Sequence, residues 1–242
     1  VLIASIIPII NFLLVFFYLP ETKPKSASNK LKTILKNPLK QLFTVFKEEK
    51  IKKLSLAFFI YFIAFTGLTN ILIFFLQESL GWTTKASSGT LVVVGIIAII
   101  VQGGLIGPLV KKFGEMKLTL IGSGFILVAC SLLITTPKEN ATVNVYSAVS
   151  FLAVGAGLIT PTLRALISKK LDNDKQGSIL SNLQGLQSLG GVLGVVLAGR
   201  VYDSFGPKSP FIAGSIILIF MIYLIAEGKN NSSIYDQKSK SF

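Results

Sequence analysis

Seven stretches of this chain are rich in apolar residues and carry no charge, and charged residues fall only between or after them. The windows without Asp, Glu, Lys or Arg are 1–19, 54–77, 86–110, 118–137, 140–163, 176–199 and 209–226. Each is 18 to 25 residues long, and a helix of about 20 residues is long enough to cross the hydrocarbon core of a bilayer. Backbone groups in lipid need partners within their own segment. The pattern therefore predicts an all-α polytopic membrane protein with seven transmembrane helices.

The gaps between these windows predict how the chain is oriented. The sequence has 24 Lys and Arg against 11 Asp and Glu, a net charge of +13. Alternate gaps place 20 basic residues on one side of the membrane and 4 on the other. The positive-inside rule then puts 20–53, 111–117, 164–175 and 227–242 in the cytoplasm. The basic excess is explained as an orientation signal, so we predict an integral protein of the plasma (inner) membrane and no nucleic-acid partner.

Composition argues against an enzyme. The chain is 51% hydrophobic and 14% charged, whereas soluble domains carry about 25% charged residues. It has no histidine, the commonest metal ligand and general base. A single cysteine excludes an internal disulfide framework. We expect no catalytic residues, no metal and no bound cofactor.

The spacing of the windows suggests four parts. They are a last helix of an N-terminal bundle (1–19), a basic cytoplasmic loop (20–53), a six-helix bundle (54–226) and a cytoplasmic tail (227–242). In the loop, Leu31, Ile34, Leu35, Leu39, Leu42, Phe43 and Phe46 recur at helical spacing between lysines. This predicts an amphipathic helix on the inner leaflet, with a partner-docking helix as the alternative. Since Val1 already lies inside an apolar helix, we expect the partner N-terminal bundle upstream in the same chain; a half-size transporter is the alternative.

Small residues recur every four positions in two of the predicted helices. The rows are Gly103 and Gly107; Gly177, Ser181 and Gly185; and Gly190, Gly194 and Ala198. Such spacing allows helices to approach closely in lipid. We predict helix packing or gating roles for Gly103, Gly185, Gly190 and Gly194, and for Pro161 in the fifth window.

The stretch "GPLVKKFGEMK", residues 107–117, resembles the loop signature of the major facilitator superfamily, G-x-x-x-D-R-x-G-R-R, in the weaker form of its C-terminal half. Gly107, Lys112 and Gly114 match. Lys111 stands where the signature has aspartate, and Glu115 stands where it has a basic residue. The resemblance implies a cytoplasmic turn between two helices.

Residues 157–203 are similar to the tenth and eleventh helices of the tetracycline-efflux-like branch of drug:proton antiporters in that superfamily. Pro161, Gly177 and the pair Gln187-Ser188 carry the likeness, and Val195 replaces a frequent proline. The motif "YLPET" at 18–22 is similar to the exit of helix six. Together these motifs cover essentially the whole chain as helices six to twelve.

The resemblance implies a secondary transporter that works by alternating access, with a proton gradient as its energy source. Its partners would be the lipid bilayer and a small amphipathic or hydrophobic compound that it exports. A metabolite or sugar transporter of the same fold is the alternative, and a seven-helix receptor or a non-transporting membrane scaffold ranks below both. No carboxylate lies inside the seven windows, so the proton carrier of an antiporter is expected upstream of Val1.

Polar side chains inside spanning windows are candidates for a substrate cavity because they are costly in lipid. They are Asn70, Gln102, Asn182, Gln184 and Gln187. In the family, helices seven, eight, ten and eleven contribute to the central cavity. The alternative for each is an ordinary interhelical hydrogen bond. For Arg164, at the end of a window, we expect pairing with Asp172 or Asp174, or capping of the last carbonyls of its helix.

Overall fold

The structure is a computed structural model that describes residues 2–18, 42–139, 141–171 and 173–239, with side chains described over most of these ranges. The described residues contain helices and turns but no strand. The helices are α1 (Leu2–Tyr18), α2 (Lys52–Ser79), α3 (Thr84–Phe113), α4 (Glu115–Thr135), α5 (Ala141–Ser168), α6 (Asn173–Phe205) and α7 (Ser209–Ser239). The prediction of an all-α polytopic fold is confirmed.

Six of the described helices are long and apolar enough to cross a membrane. They are α2, α3, α4, α5, the Gln176–Phe205 part of α6 and the Ser209–Glu227 part of α7. α1 is apolar but shorter, with 17 residues, and belongs to a separate unit of residues 1–41. The remaining residues, 42–242, form the second unit. The predicted amphipathic helix covers residues 31–46, and its part before residue 42 lies outside the described residues.

The ends of the helices follow local chemistry. Thr83 precedes α3, and its hydroxyl accepts a hydrogen bond from the Ala86 N–H at 3.3 Å, as expected of an N-cap. Gly206 joins α6 to α7 with a φ of +90°, a conformation that favours glycine. The connections between spanning helices are therefore tight where a capping hydroxyl or a glycine permits it.

Two pairs of helices make backbone-to-backbone contact through glycine. In α4 and α5, a Cβ added at Gly155 would lie 2.6 Å from the Gly122 carbonyl oxygen. In α2 and α6, a Cβ added at Gly194 would lie 2.3 Å from the Ile63 carbonyl oxygen. Close backbone approach maximises van der Waals contact where no hydrophobic force drives helices together in lipid. These two glycine contacts set the positions of α4 against α5 and of α2 against α6.

Aromatic and hydroxyl side chains fill the space between the pairs. Phe58, Tyr61 and Phe62 of α2 are buried together, with the Tyr61 and Phe62 ring centroids 4.9 Å apart. At the other end of α2, the Phe75 ring meets Phe211 of α7 edge to face at 5.2 Å. α7 packs on both α2 and α4, and α3 packs chiefly on α5.

A short 3₁₀ turn, Phe43–Lys47, precedes α2 and packs against the bundle. Val45 in this turn is fully buried, and Ile51, just before α2, is fully buried as well. Leu42 lies against Gly185 of α6, where an added Cβ would be 2.1 Å from the Leu42 Cδ2. The described end of the predicted amphipathic helix is thus partly packed into the bundle: Leu42 contacts α6 and Phe46 packs on the core, whereas Phe43 is exposed.

Candidate functional site

The predicted loop signature forms a one-residue joint between α3 and α4. α3 ends at Phe113, α4 begins at Glu115, and Gly114 between them has φ +76° and ψ 159°. The Gly114 N–H donates to the Val110 carbonyl at 2.9 Å, which closes the last turn of α3. Side-chain-bearing residues rarely adopt this conformation. The chain changes direction here because Gly114 has no side chain.

The charges of the signature lie around this joint. Lys111 and Lys112 are exposed in the last turn of α3, where positive charge favours the helix C-terminus. Glu115 opens α4, where negative charge is favoured, and its carboxylate pairs with Lys169 just beyond the end of α5. The acidic residue that departs from the family signature therefore connects this joint to the neighbouring helix.

The packing expected at Gly103 and Gly107 is not formed within the described residues. No atom lies within 4 Å of the place where a Cβ would stand at either glycine. Residues Val101–Leu105 form a π-helical turn within α3, and the contact with α5 is made by Val101 instead. A Cβ at Gly157 would lie 2.9 Å from the Val101 Cγ1. Val101 and Gly103 are two positions apart and therefore lie on different faces of α3, so the row of small residues is not on the face that meets α5.

The other two rows reach different neighbours. Gly190 and Gly194 lie against α2, with Phe59 and Ile63 carbonyl oxygens 3.1 and 2.3 Å from an added Cβ. Gly185 packs on Leu42, as described above, while Gly177 has no neighbouring atom within 4 Å among the described residues. Among these small residues of α6, close packing is therefore found from Gly185 to Gly194.

Arg164 joins α5 to two of the candidate cavity residues on α6. Its Nη2 donates to the Gln184 Oε1 at 2.7 Å and also to the Gln187 Oε1. The guanidinium carbon lies 5.8 Å from the centroid of the Phe58 ring on α2, within cation–π range. Gln184 and Gln187 are three positions apart and share one helix face. One arginine therefore connects α2, α5 and α6.

The pairing of Arg164 with Asp172 or Asp174 cannot be compared with this arrangement, because both side chains lie outside the described residues. The described partners of Arg164 are two neutral amides and an aromatic ring. Its Nε is buried and makes no hydrogen bond with the described residues. No pattern in the sequence links Arg164 to the glutamines, and Phe58 was not a predicted site residue.

The remaining candidate cavity residues occupy separate places. The Asn182 amide donates to the Thr44 hydroxyl at 3.1 Å, which ties α6 to the turn before α2. Asn70 is exposed and donates to the Thr66 carbonyl of its own helix at 2.9 Å. Gln102 is exposed within the π-helical turn of α3. Their role in binding a substrate stays a prediction.

An exposed polar face runs along the first half of α6. Ser181, Gln184 and Ser188 are all exposed at helical spacing, within the least hydropathic of the six spans. Polar groups at membrane depth are stable where they face protein or a water-filled cavity. This face, and not the apolar side of α6, is therefore the candidate wall of an aqueous pathway.

Pro161 lies inside α5 beside this region. Proline has no N–H, so the Gly157 carbonyl has no helical partner at that position.

Hydroxyl pairs also connect neighbouring helices here. One residue before Pro161, the Thr160 hydroxyl lies 3.3 Å from the Tyr61 hydroxyl of α2. A deeper link between α4 and α5 is the Thr119–Thr162 hydroxyl pair at 2.9 Å. Hydroxyl pairs of this kind carry no strong sequence signal.

Comparison with known proteins identifies the family. The profile of the Major Facilitator Superfamily matches residues 1–195. Human Hippocampus abundant transcript-like protein 1 is 21% identical over 93% of this chain and 49% of its own length. The class D tetracycline resistance protein of Salmonella ordonez is 27% identical over 83% of this chain and 49% of its own length.

A third relative is the class H tetracycline resistance protein of Pasteurella multocida, which is 28% identical over 55% of this chain and 32% of its own length. The chain thus spans about half the length of the curated relatives that it matches, or less. The resemblance seen in the signature and in residues 157–203 agrees with the profile match. The chain belongs to the Major Facilitator Superfamily, a family of multi-pass membrane transporters.

Proposed function

We propose that this chain is the C-terminal portion, from helix six onward, of a secondary transporter that exports small amphipathic or hydrophobic compounds. The observation that carries the proposal is the polar face of α6 beside Arg164, within a bundle of apolar spans. A matching N-terminal bundle of the same protein would face it and close the pathway. Relatives named as tetracycline resistance proteins support export as the direction and drugs as the compounds.

The energy source that we propose is a proton gradient. The acidic residues of the six described spans are Glu78, Glu115, Asp203 and Glu227, and each lies within three residues of a span end. A proton-coupled carrier needs a titratable group near its central site. We therefore assign the proton-binding carboxylate to the N-terminal portion of the protein.

We also propose that the loops 111–117 and 164–175 face the cytoplasm of a plasma membrane. The support is the distribution of lysine and arginine, with 20 basic residues on one side and 4 on the other. In this orientation Arg164 and the polar face of α6 lie toward the cytoplasmic half of the membrane. A compound dissolved in the cytoplasm or in the inner leaflet would meet them first.

Transport in inverted membrane vesicles tests the proposal. Vesicles containing the full-length gene product are energised to form a proton gradient, and uptake of a panel of fluorescent drugs and dyes is followed. We expect uptake that stops when a protonophore collapses the gradient and that is absent from vesicles without the protein. If no compound of a broad panel moves with the gradient, the export function is wrong.

A metabolite or sugar transporter of the same fold is the second candidate. The observation in its favour is the grouping of Arg164, Gln184 and Gln187, because a guanidinium and two amides also suit a polar solute. Uptake of labelled sugars and organic acids into right-side-out vesicles distinguishes the two. Inward movement of such a solute, together with no gradient-driven dye export, would select this candidate.

A further inference from the structure

Arg164 has hydrogen-bonding capacity that the described residues do not use. A guanidinium has five N–H donors, and the two that engage Gln184 and Gln187 both belong to Nη2. Nε is buried without an acceptor, whereas Nη1 makes no described hydrogen bond and is not among the buried unpaired atoms. The glutamines therefore fix the orientation of the guanidinium and leave Nη1 open to a ligand.

The positive charge of Arg164 also lacks an anionic partner in the described part of the chain. Its contacts there are two neutral amide oxygens and the face of the Phe58 ring. Partial removal of a guanidinium from water is costly unless an anion compensates its charge. A charge that is held in place but not neutralised attracts an anionic oxygen.

We propose that Arg164 is a specificity-determining residue that binds an anionic oxygen, such as a carboxylate, on an aromatic or amphipathic solute. Nη1 donates to that oxygen, Gln184 and Gln187 hold the guanidinium in position, and the buried Phe58 ring packs against the guanidinium. The inference rests on the proposed transport function and adds a preference for the free carboxylate over the esterified form of one compound.

Equilibrium binding of a matched dye pair tests this preference directly. The full-length protein is purified into nanodiscs of a zwitterionic lipid, and fluorescence anisotropy measures its affinity for rhodamine B, which carries a free carboxylate, and for rhodamine B ethyl ester. We expect the wild type to bind the carboxylate dye about tenfold or more tightly, as a charge-assisted hydrogen bond contributes. In Arg164→Gln the two dyes should bind within about twofold of each other.

The chain offers a matched control in its other arginine. Arg200 is exposed near the opposite end of α6, and Arg200→Gln should keep the full preference for the carboxylate dye. Arg164→Lys retains the charge without the planar guanidinium, so we expect an intermediate preference. If Arg164→Gln lowers the affinity for both dyes equally, Arg164 only holds α5 and α6 together and the proposal is overturned.

Two further results would also overturn it. One is that the wild type binds both dyes equally, or binds neither. The other is that the preference disappears in nanodiscs of an anionic lipid, which would assign Nη1 to a lipid phosphate. Dye export from energised vesicles is measured in parallel. Gradient-driven export without a carboxylate preference leaves the transport function standing, whereas binding with this preference but no gradient-driven movement removes the transport function alone.

Discussion

The contact between α2 and α6 predicts a large difference between two glycines of the same helix. A Cβ at Gly194 would lie 2.3 Å from the Ile63 carbonyl oxygen and 3.1 Å from the Gly67 amide nitrogen. Real Cβ atoms do not approach backbone so closely, so Gly194→Ala must push α2 and α6 apart. At Gly199, five residues further along α6, no atom of the described residues lies within 4 Å of an added Cβ.

The magnitude follows from comparing the same substitution at both positions. Replacing glycine by alanine inside a helix favours folding by about 1 kcal/mol in either case. Overpacking at Gly194 costs about 1 to 3 kcal/mol, and this cost is absent at Gly199. The free energy of unfolding of Gly194→Ala should therefore be lower than that of Gly199→Ala by about 1 to 3 kcal/mol.

Unfolding of the purified full-length protein in mixed micelles, followed by circular dichroism as denaturing detergent is added, measures this difference. Gly199→Ala should unfold at or above the wild-type midpoint, and Gly194→Ala should unfold below the Gly199→Ala midpoint. Equal midpoints for the two variants would show that α2 and α6 are not in backbone contact at Gly194. A similar loss in both would trace the effect to the glycine backbone itself.

Two other predictions concern the joint between α3 and α4. Gly114→Val should impair transport more than Lys117→Ala, because a β-branched residue at φ +76° and ψ 159° is strained by about 1 to 3 kcal/mol; equal, mild losses of vesicle transport would make the joint a passive connector. Cysteines placed at Lys117 and Lys138 in a cysteine-free background should label from opposite sides, since α4 between them spans 21 residues. A membrane-impermeant maleimide should reach position 138 in intact cells and position 117 only after lysis, and the reverse pattern would invert the proposed orientation.

The architecture was predictable from the sequence because lipid leaves few alternatives. A charge-free apolar window must satisfy its own backbone hydrogen bonds, and this requirement fixes helices before any packing is considered. The ends of the helices were predicted less closely by the charge-free windows. α6 begins at Asn173 and α7 continues to Ser239, well past the apolar windows that predicted them. Polar residues can extend a helix beyond the membrane, because water there hydrogen-bonds polar groups that the bilayer core cannot.

Spacing of small residues was a weaker guide to packing. Gly190 and Gly194 lie against α2, whereas Gly103 and Gly107 have no neighbour within 4 Å among the described residues. A four-residue period shows that side chains share a helix face, but it does not show whether another helix covers that face. In α3 the π-helical turn Val101–Leu105 also shifts which residues share a helix face. No residue type in that turn predicts it from the sequence.

The polar cluster around Arg164 shows where sequence reasoning ends. Arg164 lies 20 and 23 residues from the two glutamines along the chain, so no local pattern connects them. Their meeting depends on the rotation of α5 and α6, and that rotation is fixed elsewhere, by α4 against Gly155 and by α2 against Gly194. Backbone contacts at glycines, which carry no polar chemistry, thus determine which polar side chains converge. The sequence predicts which costly polar residues lie in the membrane. Only the packing shows that Arg164 hydrogen-bonds two of them beside the Phe58 ring.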